Sequence, residues 1–129
     1  FILTDHSERK DIKLNRINKR AVSSMKQSLK ASLPVINDIV PLKDFMIKCS
    51  NDEKYIGYLN KGENCHLMLS ATTKSDYCIL IGPEGDFSSS EINESQKFGF
   101  KPVSLGNNRL RIETAGFAAC HILNLVNEK

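Results

Sequence analysis

Ile79-Leu80-Ile81-Gly82-Pro83-Glu84-Gly85-Asp86-Phe87-Ser88-Ser89-Ser90-Glu91-Ile92 is the stretch that decides the fold. Its first residues complete YCILI (Tyr77–Ile81), the most apolar short run of the chain, and read as a buried strand. Ser88 and Glu91 stand at the spacing of a capping box, which predicts a helix from Ser89 to Phe98. Between strand and helix lies GPEGDF. Gly82 ends the strand without a Cβ, so another backbone or a ligand can approach closely. Pro83 sets the chain direction and removes a donor, and Gly85 can take a positive φ. The helix turns free N–H groups and a positive dipole end back at this loop. A Gly-Pro pair alone is an ordinary connection, but the six defined positions of GPEGDF are more specific.

On both sides strands alternate with helices, which argues an α/β domain with a largely parallel sheet. FILT (Phe1–Thr4) reads as a short strand. Apolar residues at Leu14, Ile17, Ala21, Val22, Met25 and Leu29 recur at helical spacing and predict a helix over Asn15–Leu29, stopped before Pro34. PVINDIV (Pro34–Val40) reads as a strand, with Pro41 opening a short helix LKDFMIKC. KYIGYL (Lys54–Leu59) reads as a strand, Asn60–Asn64 as a turn, and CHLML (Cys65–Leu69) as another strand. Lys101–Leu105 follows as a strand and GNNRLRIE as a loop. A last helix over Thr114–Asn127 carries Ala115, Ala118, Ala119, Ile122, Leu125 and Val126 on one face. That small-residue face suits either a dimer surface or core packing.

The 129 residues fit one domain, and no apolar run approaches the ~20 residues of a membrane span. Cys49, Cys65, Cys78 and Cys120 have neither CxxC nor zinc-type spacing, so they read as free buried thiols of a reducing cytoplasm, with no metal site. The net charge of +3 is concentrated at one end: residues 1–30 hold eight Lys/Arg against three acids. Arg16, Lys19, Arg20 and Lys26 form either a solvated helix face or a surface for RNA phosphates. His66, in the predicted strand, and His121, on the last helix, read as structural.

The second loop with chemistry is Leu105-Gly106-Asn107-Asn108-Arg109-Leu110-Arg111-Ile112-Glu113-Thr114-Ala115. Like the first, it follows a strand, where ligands of α/β sheets bind. Arg109 and Arg111 alternate with Leu110, and Glu113 stands near a helix start where a carboxylate is favoured. Arg111 and Glu113 read either as a structural ion pair or as site residues.

At these residues a resemblance enters. ILIGPEGDFSSSEI (Ile79–Ile92) and SLGNNRLRIETAGFAA (Ser104–Ala119) resemble the two signature segments of the RsmE family, whose pattern is close to GPEGGF-x-x-x-E and then LR-T-ETA. AVSSMKQSLKASLPVI (Ala21–Ile36), with Gln27 and Ser28, is similar to its helix-to-strand segment. Asp86, Asn107, Asn108, Arg109 and Ile112 depart from the usual pattern.

The resemblance implies a SPOUT-type α/β fold with a deep trefoil knot at the carboxyl end, spanning residues 1–129. It implies a family barrel of PUA type ahead of the catalytic domain, absent from this chain. The implied activity is S-adenosylmethionine-dependent methylation of uridine N3 in small-subunit (16S) ribosomal RNA, by a cytoplasmic homodimer. Matched residue by residue, it implies cofactor contacts at Leu69, Ser70, Ile81, Gly82, Gly85, Leu105, Gly106 and Leu110. Arg111 is the expected stabiliser of charge on the uracil oxygens, and Glu113 orients it or takes the proton, with Glu84 the weaker candidate. Arg16, Lys19, Arg20, Lys26 and Arg109 are the expected RNA contacts. The alternatives are a methyltransferase for another RNA site, such as a ribose 2′-hydroxyl, or a non-catalytic RNA-binding module. A nucleotide-binding protein is remoter, because no P-loop or G-x-G-x-x-G is present.

Overall fold

The computed structural model describes residues 1–60 and 64–128. In chain order the elements are β1 (Ile2–Leu3), α1 (Leu14–Gln27), β2 (Val40–Pro41), α2 (Leu42–Lys48), β3 (Glu53–Gly57), α3 (Leu67–Ser70), β4 (Tyr77–Ile81), α4 (Ser89–Lys97), β5 (Lys101–Val103) and α5 (Ile112–Asn127). All strand pairs are parallel, and β3 lies between β4 and β5. β1 and β2 form a separate parallel pair.

Alternation along β3 builds the core on both faces of the sheet. Ile56 joins Leu80, Phe87, Phe100 and the α2 residues Leu42 and Met46 on one face. Tyr55 joins Leu67, Val103 and the α5 residues Ala119 and Leu123 on the other. Tyr55, Ile56, Leu67 and Val103 are fully buried, each contributing on the order of 1.5–3 kcal/mol by leaving water. The capping box of α4 is complete: Ser88 Oγ accepts the Glu91 N–H, and Glu91 Oε2 accepts the Ser88 N–H at 2.9 Å. Glu91 is buried, and its second oxygen accepts the Asp5 N–H at 2.8 Å, so both carboxylate oxygens are satisfied.

Several sequence expectations need correction. CHLML is not a strand: only His66 bridges, to Ser104, and Leu67–Ser70 form a helical turn whose N-cap is His66, its Nδ1 accepting the Met68 N–H. PVINDIV pairs only at its end, where Val40–Pro41 meet Ile2–Leu3; Val35 stays exposed. Lys101–Leu105 is a strand only to Val103, and α5 begins at Ile112 rather than Thr114. The thiols are free, yet Cys65 and Cys120 are exposed and Cys49 and Cys78 half-buried, so burial was overestimated. Most of the predicted turn Asn60–Asn64 lies outside the described residues. On the face expected for α5, Ala119 and Val126 are buried, while Ala115, Ala118, Ile122 and Leu125 are half-buried. No described helix is long and apolar enough to cross a membrane.

Candidate functional site

Parallel pairing puts the carboxyl ends of all three sheet strands side by side: Gly57 pairs with Ile81 on one flank and Val103 on the other. The segments that leave these ends must splay apart, and a cavity of about 470 Å³ opens between them. Its volume lies within the range of small-molecule sites, about 300–1,000 Å³. Gly57, Tyr58 and Leu59 line it from β3. Ile81, Gly82, Pro83, Glu84 and Asp86 line it from β4. Leu105, Gly106, Asn108, Arg109, Leu110 and Arg111 line it after β5, with Ile112 and Ala115 from the first turns of α5.

The walls are largely apolar, and charge sits on the two motif loops: Glu84 and Asp86 on one, Arg109 and Arg111 on the other. Arg109 ties the loops together, its Nη2 donating to the Glu84 carbonyl at 2.6 Å. Arg111 is the N-cap residue of α5, an exposed side chain on the cavity wall. Glu113, in the first turn of α5, is exposed and does not line the cavity. Among the described residues these two form no ion pair; the one within reach is Lys43–Glu94 at 3.2 Å.

Within the β4 loop the backbone departs from expectation. Asp86, not Gly85, takes the positive φ, at 61°. Its own Oδ1 accepts the Phe87 N–H at 2.8 Å and its N–H reaches the Pro83 carbonyl at 2.8 Å, the local bonding that lets Asp occupy this region. The Phe87 ring, rather than a ligand, closes on Gly82, 3.0 Å from where a Cβ would stand.

Five of the eight expected cofactor residues meet in the cavity: Ile81, Gly82, Leu105, Gly106 and Leu110. Leu69, Ser70 and Gly85 do not line it; Leu69 is 79% exposed on α3. The third loop of the cavity follows β3 at Gly57–Leu59. Sequence reasoning missed it because the apolar run KYIGYL hides where its strand ends. Ala115 was expected on the packing face of α5, yet also reaches the cavity.

The basic residues Arg16, Lys19, Arg20 and Lys26 all lie exposed on α1, which has no buried residue. Its apolar residues Leu14, Ile17, Ala21, Val22 and Met25 are half-buried. Arg109 stands apart from this helix, at the cavity. His121 stacks on the exposed ring of Phe117, with centroids 6.0 Å apart. Among the described residues no group of three His, Cys, Asp or Glu side chains could hold a metal ion.

Residues 1–124 match the family model of the RNA methyltransferase domain. The chain is 30% identical over 120 residues to the ribosomal RNA small subunit methyltransferase E of Rickettsia conorii, covering 92% of this chain and 49% of that protein. A probable rRNA-methyltransferase from Porphyromonas gingivalis has a similar structure, with TM-score 0.90, 41% identity, and coverage of 99% of this chain and 55% of that one. A Legionella pneumophila protein assigned as a methyltransferase, solved with the bound cofactor SAM, aligns with TM-score 0.89 and 25% identity over 98% of this chain and 54% of its own. The chain thus spans about half the length of the relatives it matches.

Proposed function

The chain belongs to the RNA methyltransferase domain family, and from that premise we propose that it binds S-adenosylmethionine and methylates N3 of a uridine in small-subunit (16S) ribosomal RNA. The observation that carries this reading is the cavity at the carboxyl ends of three parallel strands, bounded by both motif loops. Its features suit the cofactor. Leu59, Ile81, Leu105 and Leu110 offer apolar walls to an adenine ring, and Glu84 and Asp86 offer negative charge to a sulfonium. Gly106, with nothing within 4 Å of where a Cβ would stand, leaves room for a ligand to approach the backbone. When bound, the cofactor supplies an electrophilic methyl group.

The protein has three tasks: hold the base in line, exclude water and manage the N3 proton. As that proton leaves, negative charge spreads to the uracil oxygens. Arg111, on the cavity wall, is the group we assign to stabilise it. Glu113 is the expected orienting or proton-accepting carboxylate. Glu84, which lines the cavity, is its rival for the proton, and Glu113→Gln against Glu84→Gln separates them by loss of kcat. The exposed basic row of α1 and Arg109 are proposed to meet ribosomal RNA phosphates, which position more than they specify.

The finer architecture proposed is SPOUT type: residues 1–129 form one methyltransferase domain, with its carboxyl end drawn into a deep trefoil knot. The protein is proposed to act in the cytoplasm as a homodimer. Exposed Leu69 and Phe117, 79% and 73% accessible, support a second copy on the α3/α5 side, and sedimentation velocity tests it.

Calorimetric titration with S-adenosylmethionine, and separately with ATP, tests the cofactor reading. Saturable binding of S-adenosylmethionine alone supports it and justifies assaying N3-methyluridine on small subunits. Binding of ATP alone overturns it, and binding of neither puts a non-catalytic RNA-binding module first.

A further inference from the structure

Three successive carbonyls of the β4 loop are taken by side chains from distant parts of the chain. Arg109 donates to that of Glu84. The next two converge on one atom: His6 Nδ1 lies 3.0 Å from the Gly85 oxygen and 2.8 Å from the Asp86 oxygen. Both partners only accept, so Nδ1 carries the hydrogen and donates to both.

His6 is held on a braced turn. The Ser7 N–H reaches the Thr4 carbonyl at 3.1 Å, and the Thr4 N–H reaches Ser7 Oγ at 3.0 Å. Beside it, Asp5 is clamped to the start of α4: its N–H donates to Glu91, and its carboxylate accepts Ser88 Oγ–H at 2.7 Å. The residue at 85 is matched to this contact. A Cβ there would lie 3.0 Å from His6 Cβ, so glycine at 85 suits the close approach of His6 and is not there for a positive φ.

We propose that His6 is a positioning residue, whose ring N–H fixes the Gly85 and Asp86 peptides and so the cavity wall from Gly82 to Asp86. The inference rests on reading that cavity as the cofactor site. His6 touches the wall from outside and does not line the cavity. The Asp86 and Gly85 carbonyls also raise its pKa above the ordinary value, as expected of a donor held between acceptors.

Three variants separate a specific donor from mere bulk. Asn places an amide N–H close to the position of Nδ1–H, Gln carries its amide one bond farther, and Ala has none. Calorimetry with S-adenosylmethionine and amide exchange at Asp86 and Phe87 are measured on the same proteins. We expect His6→Ala and His6→Gln to weaken binding about fivefold and to speed exchange, and His6→Asn to restore both to within about twofold. Unchanged binding and exchange in His6→Ala overturns the proposal. So does a His6→Asn protein no better than His6→Ala when both unfold at the wild-type temperature. If the wild type fails to bind S-adenosylmethionine, the cofactor reading falls and the exchange series decides alone: donor-dependent protection upholds the role of His6, donor-independent protection overturns it.

Discussion

Leu67 and Leu69 provide a sharp test of the turn after the β3 loop. In an extended strand they would share one face and suffer alike on truncation. In the helical turn Leu67–Ser70 they part: Leu67 is 0% exposed between Tyr55, Val103, Ala119 and Leu123, and Leu69 is 79% exposed. Leu67→Ala removes buried methyl groups and leaves a cavity, at a cost of about 3 kcal/mol. An unfolding entropy of about 2.1 cal/mol/K per residue gives a domain of this size roughly 0.27 kcal/mol/K, so Tm falls by about 11 °C. Leu69→Ala should cost about 0.5 kcal/mol or less. Thermal and urea unfolding at two protein concentrations measure both, because any part Leu69 plays in association depends on concentration. Equal, concentration-independent losses at the two positions would refute the helical turn and restore the strand.

Reversing Arg16 and Arg20 to Glu should weaken binding of a ribosomal RNA fragment about tenfold or more at physiological salt and leave cofactor affinity unchanged; fluorescence anisotropy with parallel calorimetry checks it, and equal loss of both would indicate misfolding. The Cys78 thiol is pushed up to about 12 by burial and by neighbouring Cys49. Iodoacetamide at about pH 8 should therefore label exposed Cys65 and Cys120 well before Cys78, and equal rates by mass spectrometry would contradict its buried environment. Burial opposes ionisation of Glu53, but hydrogen bonds from Thr72 and Tyr55 outweigh it and hold the carboxyl below its ordinary 4.5. Its contribution is thus complete above that value and lost as pH falls through the folded pKa. The Tm difference between wild type and Glu53→Gln should shrink from about pH 6 to about pH 3, and a constant difference would exclude the linkage.

The elements legible in the sequence were those on which pattern and local chemistry agreed. YCILI combines an apolar run with a following capping box, and both are present. CHLML misled because a short apolar run such as Leu67-Met68-Leu69 fits a buried strand as well as a helical turn, and here the imidazole of His66 caps a helical turn. PVINDIV misled through its β-branched residues, which find a partner strand only at Val40–Pro41. Of the candidate site, the two loops with fixed motifs were legible, and the third, at Gly57–Leu59, was hidden because the apolar run KYIGYL continues past the end of β3 at Gly57. His6 was out of reach for a different reason: its partners lie 79 and 80 positions away, and nothing local in TDHSER points to them.

The parallel sheet has a kinetic consequence. No parallel pair can form as a hairpin, so every pairing waits for a crossover to be threaded. β3 acquires its second neighbour only with β5, and the cavity needs the loops that follow all three strands. No early folding intermediate therefore owns the site, and β-pairing at such sequence separation is slow. A small molecule bound there acts on the finished product alone: it lengthens the lifetime of the folded chain by slowing its unfolding and leaves the folding rate unchanged.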